Sequence, residues 1–120
     1  MSRLAPVIAI SHGGGPMPIL GDPAHNALVA SMRTKVPALL RLNTADAPRA
    51  IVMVTAHWSA PKVTVSSGAT HKLLYDYHGF PAESYALRYD APGSPEVAAE
   101  VKRLVEGAGL ECELDGERGW

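Results

Sequence analysis

Two short apolar runs, each ending in a histidine, constrain this chain most. Pro6–Ser11 (PVIAIS) runs into His12-Gly13-Gly14-Gly15, and Ala50–Ala56 (AIVMVTA) runs into His57-Trp58. Continuous apolar runs of this length, rich in β-branched residues, signal strands buried on both faces. Between them, Asp22-Pro23 reads as a helix N-cap with proline at the first helical position. Ala27, Leu28, Met32 and Val36 then follow roughly helical spacing. Pro37 is expected to end or kink that helix, because it lacks an N–H and its ring clashes with the preceding turn. Strand, helix and strand in this order predict a right-handed β-α-β unit with parallel strands. His12 and His57 would then emerge at one carboxyl edge of the sheet, where open α/β folds bind ligands.

The rest of the chain extends the pattern. Lys62–Gly68 alternates Val63 and Val65 with polar neighbours and predicts a strand. His71–Glu83 has no period and is rich in aromatics, so it reads as a loop, and Glu83–Asp90 alternates weakly, as a strand would. Ser94-Pro95-Glu96 opens a helix, with Ser94 as cap and an acidic first turn. Val97, Val101, Leu104 and Val105 are assigned to its apolar face, and Gly107 or Gly109 is expected to stop it. Leu110–Leu114 predicts another strand, with Cys112 in the core. The order β-α-β-β-β-α-β gives an α/β fold: a layered, partly parallel sheet with flanking helices. No linker divides residues 1–120.

Composition excludes several functional classes. With 47% hydrophobic and 19% charged residues, the chain has enough apolar surface to build a core and is not intrinsically disordered. Eleven basic and twelve acidic residues leave a net charge of −1, which supplies neither a nucleic-acid footprint nor a polybasic membrane patch. No apolar run approaches the ~20 residues of a membrane span. Leu4–Ile10 is followed by Ser11-His12-Gly13 instead of a small-residue cleavage site, so a signal peptide is not expected. The single cysteine cannot form a disulfide framework within the chain, and a cytoplasmic location is expected.

Three clusters could carry chemistry. His12 and His57 could start a metal site, since neutral imidazole suits Zn, Fe, Ni and Cu. They could equally cap loop backbone, and spacing alone leaves both readings open. Gly13-Gly14-Gly15 fits neither a dinucleotide fingerprint, because position 18 is proline, nor a P-loop, because no G-K-[ST] follows. An oxyanion-hole reading needs a G-x-S-x-G elbow, which the chain lacks. Gly13 reads either as a flexible turn or as a backbone thin enough to let a ligand approach His12. Finally, Tyr75-Asp76-Tyr77-His78-Gly79-Phe80-Pro81 could line a pocket for a flat aromatic substrate, or be a loop pinned by its own rings. His78 is either an acid–base group or a surface residue. His25 and His71 receive no role, and Asp90–Pro95 reads as a turn.

Together, the segments Ile10-Ser11-His12-Gly13 with Pro16-Met17, Thr55-Ala56-His57-Trp58, Tyr75–Pro81, Tyr89–Pro95 and Glu117-Arg118-Gly119-Trp120 resemble the class III extradiol ring-cleavage dioxygenases. Within these, the resemblance is to the DOPA-dioxygenase-like branch of the LigB superfamily. It implies a LigB-like, phosphorylase/hydrolase-like architecture, with residues 1–120 as the N-terminal portion of one catalytic domain. It makes His12 and His57 ligands of a non-haem Fe(II), with Zn in some members. Gly13, Tyr77, His78 and Phe80 become substrate-side candidates, although relatives often carry glycine or another aromatic at the place of His78. The remaining metal ligand and the acid–base histidine are expected beyond Trp120. The implied partners are a small aromatic diol, O2, and a complementary C-terminal chain or a second copy of this one. The competing expectations are a truncated, non-catalytic relative that binds a ligand or partner, and, more remotely, a zinc hydrolase on a similar scaffold.

Overall fold

The computed structural model describes residues 4–120. They divide into two compact units, one ending at Ile51 and one comprising Val52–Trp120. The architecture is α/β, with a small parallel sheet, a short antiparallel pairing and two α-helices. Among the described residues no helix is long and apolar enough to cross a membrane.

The first unit is built around helix α1 (Asn26–Leu40), entered through a single 3-10 turn, Pro23–His25. Asp22 has the extended backbone of a cap, and Pro23 follows it as the sequence predicts. The Asp22 side chain does not cap backbone N–H groups, however; it pairs with His25. Pro37 does not end the helix. The chain stays helical for another three residues, then stops where Arg41 turns left-handed at φ 52° and its N–H bonds the Ala38 carbonyl.

The two apolar runs are the main correction. Neither Pro6–Ser11 nor Ala50–Ala56 forms a strand. Val7 is 98% exposed and Val54 94%, with Ile51, Val52 and Met53 also exposed. The predicted β-α-β unit of the first 56 residues is therefore not formed. A continuous apolar run specifies a strand only when other strands flank it and layers cover both faces; hydrophobicity alone supplies neither.

The second unit does contain a parallel pair. Strand β1 (Val63–Ser66) lies beside β4 (Cys112–Asp115), with Val63 opposite Cys112 and Ser66 opposite Asp115. Helix α2 (Pro95–Gly107) packs on both strands. Its start follows the predicted chemistry: the Ser94 hydroxyl accepts the Val97 N–H at 3.3 Å, with proline and Glu96 in the first turn. Ala98 is buried, and Val97, Val101 and Val105 are partly covered on the same face, whereas Leu104 is exposed, contrary to its assignment. Lys102 replaces Leu104 at this margin. It is half-buried, and its ammonium donates to the Cys112 carbonyl and to Glu106, each at 2.5 Å. Cys112 is buried, as expected of a core residue.

Strand β2 (Thr70–His71), at the start of the segment read as a loop, pairs antiparallel with β3 (Ala91–Pro92), inside the segment read as a turn. The predicted Glu83–Asp90 strand is absent, and a 3-10 turn, Ala82–Tyr85, occupies its start. Pro81 precedes that turn, and the fully buried Ser84 folds its hydroxyl back to the Pro81 carbonyl at 2.7 Å. This local bond competes with an extended backbone. The end of the chain is held by Trp120, which exchanges backbone bonds with Lys72 and Leu74 at 2.9 and 2.7 Å. Gly119 permits that approach: a Cβ there would stand 2.2 Å from the Lys72 carbonyl oxygen.

Candidate active site

The candidate residues divide between the units, with His12 and Gly13 in the first and His57, Tyr77, His78 and Phe80 in the second. His12 is exposed, and its Nδ1 lies 3.0 Å from the Gly13 carbonyl oxygen. That oxygen can only accept, so Nδ1 carries the proton. The backbone turns sharply here, with Gly13 at φ 74°. A Cβ on Gly13 would lie 2.5 Å from Cδ2 and 2.8 Å from Nε2 of His25. The glycine is thus required by conformation and by space.

His25, which the sequence pattern left without a role, holds this turn. The Gly14 N–H donates to its Nε2 at 3.1 Å, and its Nδ1–H donates to Asp22 Oδ2 at 2.5 Å. Asp22 therefore orients His25, which in turn fixes the glycine loop carrying His12. The sequence signal was the three-residue spacing of Asp22 and His25 across a proline-initiated turn.

His57 is built from both sides. Its backbone N–H donates to Thr55 Oγ1 at 3.1 Å. Its ring Nδ1 lies 2.7 Å from Asp76 Oδ2. The Arg118 guanidinium sits 4.5 Å from the Trp58 ring centroid and donates to the His57 carbonyl at 3.5 Å. Arg118 is placed in turn by Asp115, whose Oδ1 accepts the N–H groups of Arg118 and Glu117, each at 2.9 Å. These bonds, that of Arg118 first, hold the Asp115 carboxyl below its ordinary pKa. The segment ending in Trp120 thus braces the segment carrying His57.

The aromatic loop packs largely against itself. Tyr77 meets Phe80 edge-on at 5.4 Å and lies 5.2 Å from the Tyr85 ring, and its hydroxyl donates to the Ser84 carbonyl at 2.7 Å. Tyr75 meets both Tyr77 and Tyr85 edge-on, and its hydroxyl bonds the Leu87 carbonyl. His78 is exposed at the tip. Asp76, between two anchored tyrosines, is the partner of His57 that the sequence pattern did not single out.

The donor chemistry suits a divalent metal. Both His12 and His57 place Nδ1 against an oxygen acceptor, which fixes the Nδ1–H tautomer, the one typical of metal-bound histidine. Among the described residues, no three His, Cys, Asp or Glu side chains gather into a metal-holding group. Each imidazole, taken by itself within its own unit, has the tautomer a metal ligand needs.

Residues 6–119 match the model of a family described as the catalytic LigB subunit of aromatic ring-opening dioxygenase. The chain belongs to this family. Among LigB-family relatives, it is 50% identical over 119 residues to dioxygenase tasH of Hapsidospora irregularis, covering 98% of this chain and 37% of that protein. It is 33% identical over 111 residues to a 4,5-DOPA dioxygenase extradiol of Beta vulgaris, covering 92% and 39%. It is 34% identical over 105 residues to the protein of the same name in Escherichia coli (strain K12), covering 88% and 34%. The chain thus spans less than two fifths of the length of these relatives.

Proposed function

We propose that this chain is the N-terminal part of an extradiol ring-opening dioxygenase domain, contributing His12 and His57 as ligands to a non-haem Fe(II). The reaction is the cleavage of a catechol-type ring by O2 beside its diol. The observation that carries the reading is the family match from residue 6 to residue 119, combined with two histidines whose Nδ1 atoms each lie against an oxygen acceptor. Ferrous iron, when bound, supplies open coordination positions for the diol and for O2.

The roles of the chain's own residues follow. His12 and His57 donate from Nε2, while their Nδ1 protons stay committed to Gly13 and Asp76. Gly13 keeps the backbone beside His12 free of side-chain bulk. Half-buried Tyr77 and Phe80 and exposed His78 are the aromatic-loop groups assigned to the substrate side. The further ligand and the acid–base group come from a C-terminal part, supplied in the same polypeptide or by a complementary one.

The test is ferrous uptake by the chain and by His12→Ala and His57→Ala, together with oxygen consumption on adding catechol once a C-terminal part is present. Each substitution should abolish metal uptake, and the completed wild-type protein should consume oxygen. Full metal content in both variants refutes the assignment. Stable folding with no metal and no oxygen uptake, even when completed, favours a binding module.

A further inference from the structure

We propose that Asp76 is a positioning residue, whose carboxylate locks His57 in the Nδ1–H tautomer, the form that can ligate a metal through Nε2. This deepens the function proposed above and rests on its assignment of His57 as a ligand.

The two residues are 19 positions apart, in different segments of the second unit, and meet at 2.7 Å. An ionised carboxylate only accepts, so the proton between them belongs to His57. A solvent-facing His–Asp contact is ordinarily worth little, because both side chains must be ordered to make it. Here the surrounding structure supplies the ordering. Asp76 sits between Tyr75 and Tyr77, whose rings pack in the aromatic cluster and whose hydroxyls are tied to the carbonyls of Leu87 and Ser84. The Asp76 N–H bonds the Leu74 carbonyl at 3.2 Å. Asp76 is exposed, while Tyr75 and Tyr77 on either side of it are half-buried. On the other side, Thr55 and Arg118 grip the His57 backbone. Both partners are therefore placed before they bond. The self-packing of the aromatic loop thus also aims a carboxylate.

An imidazole protonated at Nε2 cannot ligate through that nitrogen. Outer hydrogen bonds that fix the tautomer of a ligating histidine are typically worth about 10–100-fold in metal affinity. Asparagine at position 76 could turn its NH2 toward Nδ1 and so favour the wrong tautomer, while glutamate keeps the acceptor-only chemistry.

The experiment takes the whole chain, metal-free, with 15N-labelled histidine. Its ring spectrum should show His57 as Nδ1–H, with a pyridine-like Nε2 signal. Asp76→Asn should shift His57 toward Nε2–H and weaken Zn(II) binding about 10–100-fold, with the thermal transition nearly unmoved. Asp76→Glu should restore much of both. A wild-type ring that is mainly Nε2–H overturns the proposal without any variant, and so does Asp76→Asn with an unchanged tautomer. If the tautomer switches but neither Asp76→Asn nor His57→Ala alters Zn(II) affinity, the metal-ligand assignment falls and the orienting role of Asp76 stands.

Discussion

Replacing Gly13 by alanine should cost about 2 kcal/mol, and replacing its neighbour Gly14 far less. Gly13 holds φ at 74°, where a Cβ costs about 1–2 kcal/mol. Alanine returns about 0.4–1 kcal/mol by restricting the unfolded chain. The new methyl would also lie 2.5 Å from His25 Cδ2 and 3.0 Å from Leu28 Cδ2, so the imidazole must move. Moving it breaks the Gly14 N–H bond to Nε2, a neutral hydrogen bond of about 0.5–1.5 kcal/mol. At Gly14, by contrast, a Cβ would meet only His25 Nε2, at an ordinary 3.9 Å. Urea unfolding of both variants measures the difference, and amide exchange at position 14 localises it. Equal midpoints for Gly13→Ala and Gly14→Ala, or unchanged protection at position 14 in Gly13→Ala, would refute the argument that His25 props this turn.

Two further outcomes follow from the second unit. Ser94→Ala should lose about 1 kcal/mol and Ser94→Gly only a few tenths, because glycine leaves the first-turn N–H groups accessible to water; a denaturant series that ranks them the other way would remove Ser94 as the cap. Asp115 is held below its ordinary pKa by the backbone of Arg118 and Glu117. Its stabilising effect is therefore complete above the unfolded value of about 3.9 and fades as pH falls through the lower folded value. Asp115→Asn should flatten that part of the acid transition, followed by fluorescence of Trp58 and Trp120, and an unaltered acid limb would remove Asp115 as the brace of Arg118.

The sequence revealed most where the determinants are local. Ser94-Pro95-Glu96 announced α2, alternation around Val63 and Val65 announced β1, and Asp22-Pro23 announced the entry to α1. It misled where structure depends on distant partners. Pro6–Ser11 and Ala50–Ala56 have the composition of buried strands, yet Val7 and Val54 lie in solvent, since pairing is a property of neighbours. Pro37 looked like a stop, but the helix ends at the left-handed Arg41. For the site, His12 and His57 stood out because each follows an apolar run. Their supports, His25 and Asp76, were hidden: one lies in a turn and the other within an aromatic motif, and neither hydrogen bond follows from spacing alone.

The register of β1 on β4 also sets an order of events. Val63 and Cys112 are neighbours in space but about 50 residues apart in the chain. Closing such a loop costs roughly 3–4 kcal/mol of chain entropy before any contact compensates, which makes parallel pairing slow relative to helix formation. On a ribosome, α2 can coil as soon as it emerges, whereas β1 must wait, unpaired, until Cys112–Asp115 has been synthesised. Substitutions in α2 should therefore slow refolding at least as much as substitutions in β4 of equal equilibrium cost.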